Sequence, residues 1–323
     1  MDPAAARIGA IRALVIGVVL IAAFAFFFVY PGHDPKPNGV PVAVAAEEPI
    51  ASLLSDTLEE DGRFEVQAVD DEDAARDAIL DREVYGAFVV DGDGAATLLR
   101  ATAASLAVAD LLEGVGTVIA EQRDVELDVT DIRELDEGDP RGISVNLLTL
   151  ATSVPAILGA LLTMTFAPTL AAGARVLMVG LFAIIGGLAS TLVVHTGIGA
   201  IPGNFLGIWA IVSFAIFAIA IASAAIIALL GPAGTGVSFM IFLMLGNPAS
   251  GAAGAPELLP TLWRDGGQFL QPGAFAKALR GAAYFDWAGT TMPLLVLAGW
   301  SLFGVVILAT RRPKAPVAVA AQA

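Results

Sequence analysis

From residue 176 to residue 256 the chain carries no Asp, Glu, Lys or Arg and one histidine, His195. An apolar stretch of that length is enough to cross a bilayer about three times. An earlier apolar run, residues 13–30, reaches about 27 Å at the helical rise, just enough for the hydrocarbon layer. Arg7 and Arg12 precede it, and it ends in Phe27, Phe28, Val29 and Tyr30 without a small-x-small cleavage site, so it reads as an uncleaved anchor rather than a signal peptide. Further spans are predicted at 144–167, interrupted by Pro155, and at 176–195, 205–230 and 292–310. Residues 237–245 are too few to cross alone, so that helix must begin earlier or continue into Asn247 and Pro248. The expectation is a polytopic α-helical membrane protein of about six transmembrane helices.

Between the first two spans the periodicity changes. Val42 to Ala46 reads as a strand, and Ile50, Leu53, Leu54 and Leu58 recur at helical spacing after Pro49. Phe64, Val66 and Ala68 alternate as a strand, Asp70 can cap a helix through Ala74, Ala75, Ala78 and Ile79, and Ala87 to Val90 make a third, buried strand. This βαβαβ order predicts a parallel sheet with right-handed crossovers. Asp91, Gly92, Asp93 and Gly94 lack the later ligands of a calcium loop and predict a hairpin turn into Thr97, Leu98 and Leu99. A helix with Val108, Leu111, Leu112, Val115, Val118 and Ile119 on one face comes next, then a strand through Val125, Leu127 and Val129. The predicted units are therefore an N-terminal head and anchor (1–30), an inserted α/β domain (31–142), a five-helix membrane domain (143–310) and a tail (311–323).

Charge sharpens this division. The net charge is -15, and 28 of the 32 acidic residues lie between Asp34 and Asp139. One acidic domain is thus inserted into a nearly uncharged membrane protein, a balance that argues against a nucleic-acid partner. With six crossings and the N-terminus inside, Arg7, Arg12, Arg175, Arg311, Arg312 and Lys314 all fall on the cytoplasmic side, as the positive-inside bias requires, and the acidic domain lies outside. The Ala, Gly and Val content suggests a bacterial plasma membrane.

Several chemistries find no support. There is no cysteine, hence no disulfide framework. No phosphate-cradling Gly-x-x-x-x-Gly-Lys run occurs, and spans three to five hold no ionisable residue other than His195, which disfavours an ion-driven carrier. His33 and His195 lack carboxylate partners at ligand spacing, and no serine sits in a nucleophile elbow, so neither a metal, a cofactor nor an enzymatic activity is expected. Small residues four apart (Ala156/Ala160, Ala183/Gly187, Ala218/Ala222) predict close helix packing.

The segment 246–291 is amphipathic and rich in Pro and Gly. Asn247, Pro248, Ser250 and Gly251 break the preceding helix, and Pro256, Pro260 and Pro272 cut the rest of the segment into short pieces. Phe275, Ala278, Leu279 and Ala282 form one apolar stripe, with Lys277 and Arg280 off it. Trp263 and Trp287 suit a membrane interface. Two arrangements fit: a pair of re-entrant helices lining the outer end of a path, or amphipathic helices lying flat at the interface.

One anchor, a large exterior domain, five further spans, and Asn247, Pro248, Ser250 and Gly251 with Pro260, Trp263, Pro272, Gly273, Arg280, Tyr284 and Phe285 after them together resemble the membrane subunits of type-2 ABC exporters, in particular the phage infection protein branch. The strand through Tyr85, Gly86, Ala87, Phe88, Val89 and Val90 resembles part of that branch's exterior domain. The resemblance implies a permease moving an apolar or amphipathic cargo outward, often as a homodimer, energised by a separate ATPase. It also admits a non-transporting cell-envelope scaffold or receptor of the kind phages and type VII secretion systems use. The short head leaves 168–175 and 231–236 as the internal loops open to an ATPase.

Overall fold

The computed structural model describes residues 3–92 and 94–311. Asp93 of the expected turn, and Arg312 and Lys314 of the expected tail, lie outside the described residues.

A first long helix, α1 (Pro3–Val29), leads into the inserted domain, whose elements are β1 (Val40–Ala46), α2 (Ile50–Glu59), β2 (Phe64–Ala68), α3 (Glu72–Leu80), β3 (Gly86–Val90), β4 (Ala96–Arg100), α4 (Leu106–Arg123) and β5 (Leu127–Asp131). The sheet order is β2-β1-β3-β4-β5. β1 pairs in parallel with β2 and β3, as the βαβαβ pattern predicts, and β4 pairs in parallel with β5, but β3 and β4 form an antiparallel hairpin. Alternate strand residues serve opposite faces. Ala43, Ala45, Ala87, Val89 and Leu99 pack with Ala75 and Ile79 of α3, whereas Val42, Val44, Phe88 and Leu98 pack with Leu54 and Leu58 of α2 and with Leu112 of α4.

Two local expectations shift. Asp71, not Asp70, caps α3, its carboxylate accepting the Ala74 amide at 2.8 Å. The last strand starts at Leu127 because the preceding residues finish α4: Asp124 turns left-handed (φ 55°) and the Val125 amide donates back to the Ala120 carbonyl.

The remaining chain forms α5 (Ser144–Phe166), α6 (Ala172–Thr191) extended by a π-helical turn (Leu192–Gly197), α7 (Phe205–Leu230), α8 (Ala233–Ser238) continued as a π-helix (Phe239–Leu245), α9 (Thr261–Gly267), α10 (Gln271–Tyr284) and α11 (Thr291–Thr310). Five helices are long and apolar enough to cross a membrane: Arg7–Val29, Ser144–Phe166, Ala172–Gly197, Phe205–Leu230 and Thr291–Thr310. The run expected at 237–245 begins earlier, at Ala233, and is still only a short apolar helix ending at Leu245.

α7 is the hub, packed on by α5, α6, α8, α10 and α11. Its composition permits this: Ala215, Ala218, Ala222 and Ser223 are fully buried and admit neighbouring helices closely, while Ile208, Ile211, Ile219 and Ile221 fill the gaps. Where both sides of a contact are surrounded by hydrocarbon, such packing, rather than expulsion of water, holds helices together. Ala156, Ala160, Ala183 and Gly187 lie in the same buried seams. The outer faces are apolar too, with Phe166, Leu177, Leu181, Ile185, Leu295 and Leu302 exposed, as suits helices facing lipid. Near Pro155, the hydroxyls of Thr149, Thr152 and Ser153 bond back to the carbonyls of Val145, Leu148 and Thr149, in the two turns before Ala151, whose carbonyl the proline leaves free.

Candidate functional site

The helix 233–245 ends just before Asn247, and its continuation is a 3-10 turn (Pro248–Ser250) leading to Gly251. Gly251 has φ +69°, and a Cβ there would meet the Pro256 ring at 2.6 Å, so the break requires glycine. The chain then rises toward the sheet domain through a second 3-10 turn (Pro256–Leu258), and Pro260 starts α9, which descends again. A three-residue turn reverses the chain into α10, with Pro272 in its first turn, where a missing N–H costs nothing. Gly273 lies against the Gly267 carbonyl and leaves no room for a side chain.

Two side-chain bonds fix the depth of this α9–α10 hairpin. Gln271 Nε2 donates to the Ala215 carbonyl at 2.8 Å, and Trp300 Nε1 donates to the Phe269 carbonyl at 3.0 Å. Ala215 and Trp300 sit near the midpoints of α7 and α11, so the turn between α9 and α10 reaches halfway down the bundle. α10 lies between α5, α7 and α11 and is buried along its length except at the exposed Lys277 and the half-buried Tyr284. The flat interfacial arrangement therefore does not describe α10. The expected stripe of Phe275, Ala278, Leu279 and Ala282 is buried, but so are Ala274, Ala276, Arg280 and Gly281 opposite it.

A cavity of about 370 Å³ opens beside the helix break. Its walls come from the end of α1 (Phe28), the first turns of α5 (Asn146, Leu150) and the unwound segment itself, including Asn247, Ser250 and Leu258. Of the residues singled out in the sequence, Asn247, Pro248, Ser250 and Gly251 line it; Pro260, Trp263, Pro272, Gly273 and Arg280 do not. Those five act as supports. Trp263 packs against Tyr30 and Phe27, with ring centroids 5.4 and 6.3 Å apart, and joins α9 to the end of α1. Arg280 donates to the Ala252 carbonyl at 3.2 Å, holding the unwound segment from behind.

Within the cavity wall, Ser250 Oγ donates to the Asn247 carbonyl at 2.6 Å and accepts the Ala252 amide, while Gln268 donates to the Ser250 carbonyl. Non-helical backbone at this depth is tolerated only when its polar groups are met in this way. Asn247 Nδ2 is buried with no hydrogen-bond partner among the described residues. The chamber itself is largely apolar.

The sheet domain is clamped onto the same segment. Tyr85 Oη donates to Glu257 at 2.7 Å, and Arg82 reaches the carbonyls of Lys277 (2.9 Å) and Ala288 (3.4 Å) while lying over the Phe285 ring. Arg264 donates to the Asn38 carbonyl, and Arg133 pairs with Asp286 at 3.3 Å. Asp139, in the acid-rich end of the domain, caps α5 by accepting the amides of Ile143 and Ser144. Burial, and secondarily the Glu257 carboxylate, holds the Tyr85 phenol well above its usual range. Burial together with the nearby Arg280 charge lowers Arg82 to about 10.

Arg82, Tyr85, Glu257 and Gln271 carry this architecture without having been candidates in the sequence. The signal available was the isolation of Glu257 and Gln271 among apolar neighbours, since a polar residue there needs a named partner. The two histidines are engaged locally, His33 Nδ1 with the Tyr30 carbonyl and His195 Nδ1 with the Ile201 carbonyl, each at 2.7 Å.

Five long apolar helices around a buried hairpin, with a small mixed-sheet domain inserted after the first of them, define a polytopic helical membrane protein. Beyond that class no family model, curated protein or solved structure matches the chain.

Proposed function

We propose that the protein is the membrane subunit of an exporter of the type-2 ABC kind, moving an apolar or amphipathic cargo outward with energy from a separate ATPase. The observation that carries this reading is the broken helix: the chain leaves helical form halfway through the bundle, and the unwound stretch from Asn247 to Ala255 walls the cavity. Discontinuous helices at mid-depth, backed by buried support, are how transporters build binding sites inside lipid. In this reading the short helix and its unwound continuation make the fifth of six crossings, and α9–α10 is re-entrant. Arg7, Arg12, Arg175 and Arg311 then lie at the cytoplasmic end and the acidic domain outside. The domain, held to α10 through Arg82 and to the turn before α9 through Tyr85, gates the cavity or receives what leaves it.

Affinity purification of the full chain from its native membrane, with ATP hydrolysis then measured, tests the energy source; an ATP-hydrolysing partner is expected. For the path, Ala253→Trp places bulk at an exposed wall position, and cells carrying it should extrude an amphipathic fluorescent dye roughly tenfold more slowly, as loss of about 1.4 kcal/mol of cavity binding would give. Unchanged extrusion and no ATP-hydrolysing partner would leave a non-transporting envelope scaffold or receptor as the better description.

A further inference from the structure

At the opposite end of the bundle from the sheet domain, a second cavity of about 340 Å³ lies between the ends of α5 and α7 and the start of α6. Leu161, Met164 and Ile227 give it apolar walls, and Arg175 and Arg311 line it. Arg175 is 5% exposed. Its Nη2 donates to the carbonyls of Pro168 (3.0 Å) and Leu170 (3.3 Å), which aims the guanidinium, but its Nε is buried with no partner among the described residues.

Two circumstances make this arginine costly. It sits in the first turn of α6, where the helix dipole repels a cation. No carboxylate among the described residues comes to it either: after Asp139 the acidic residues are Glu257, Asp265 and Asp286, and each is engaged at the domain end, with Tyr85, Arg264 and Arg133. A buried cation with an unmet donor, a second cation lining the same cavity and no counter-ion among the described residues suits an anion from outside the chain. Apolar walls beneath the two guanidinium groups add a requirement for acyl chain.

We infer that this cavity binds the phosphate of an anionic phospholipid headgroup, Arg175 supplying the buried charge and Arg311 the exposed one, with the upper acyl chain lying along Leu161 and Ile227. Basic pockets between helices on the cytoplasmic side are suited to such headgroups. The inference rests on the membrane orientation proposed above but not on export, and its test does not measure transport.

The full-length protein, purified in detergent and stripped of lipid, is titrated with phosphatidylglycerol, with phosphatidylcholine and with inorganic phosphate, read by native mass spectrometry and by melting temperature. Phosphatidylglycerol should bind at least roughly fivefold more tightly than phosphatidylcholine and raise the melting temperature, and Arg175→Gln should abolish that preference. Arg311→Gln, at an exposed side chain that folding does not need, should weaken phosphatidylglycerol roughly fivefold and keeps the test decisive if Arg175→Gln fails to fold. Equal binding of the two lipids, or a preference untouched by both variants, overturns the site. Inorganic phosphate displacing the lipid and stabilising the protein equally would mean a free-phosphate site and overturns the lipid assignment.

Discussion

Tyr85 shows how much of the assembly turns on single polar groups. Its hydroxyl is the donor to Glu257, a carboxylate otherwise set in an apolar stretch. Tyr85→Phe removes the donor and keeps the ring, so the cost is that of leaving a partly buried acceptor unmet, about 1–3 kcal/mol, measurable as a lower melting temperature of the detergent-solubilised protein. The shifted groups also set a pH dependence. Above pH 10 the unfolded chain loses the tyrosine proton while the folded chain keeps it, so the folded state binds more protons and its stability falls as pH rises. Arg82, lowered to about 10 in the folded chain and higher in the unfolded one, acts in the opposite direction over that window. The difference between wild type and Tyr85→Phe isolates the tyrosine part: the wild type's advantage should shrink as pH rises above 10. A constant advantage would contradict the assigned burial.

At the level of elements, the α9–α10 hairpin separates what a sequence pattern can convey from what it cannot. The helix break from Asn247 to Gly251 and the proline starts were legible, because Pro and Gly shape backbone geometry whatever surrounds them. The extent of burial of α10 was not. Periodicity tracks large side chains, and Phe275 and Leu279 mark one face, whereas Gly273, Ala274, Ala276 and Gly281 read as neutral although their small size is what lets α5, α7 and α11 close around the helix. The absence of native cysteine makes this testable. Lys277→Cys should react with a water-soluble maleimide and Ala278→Cys should not, because Lys277 is exposed and Ala278 is fully buried. Comparable labelling of the two would mean that the helix lies flat rather than inserted.

For the whole molecule, the boundary between sheet domain and bundle is less clean than the jump in charge suggests. Both faces of the sheet have their own core, yet Phe285 completes one cluster and Ala255, with Leu258 packed beside it, completes the other. Residues 36–142 expressed alone should therefore fold and melt cooperatively, but at a lower temperature than the same domain in the full chain, since fully burying one Phe or Leu side chain contributes about 1.5–3 kcal/mol. A featureless melt would mean that the domain depends on the bundle to fold. The acidic insert and the spans around it were visible from charge and hydropathy alone. The clamp between them was not, because Arg82 and Tyr85 look like ordinary surface residues of an α/β domain until their partners, some 170 to 206 positions away, are brought beside them.

No residue from Arg7 to Val29 is buried, yet Phe28 forms part of the cavity wall. One side of that chamber is thus closed by α1, which packs on the π-helix 239–245 and, near its last turn, on Trp263. On the proposed exporter reading, a greasy solute would enter sideways past α1, and its loading would follow its partition coefficient into the leaflet rather than its concentration in water.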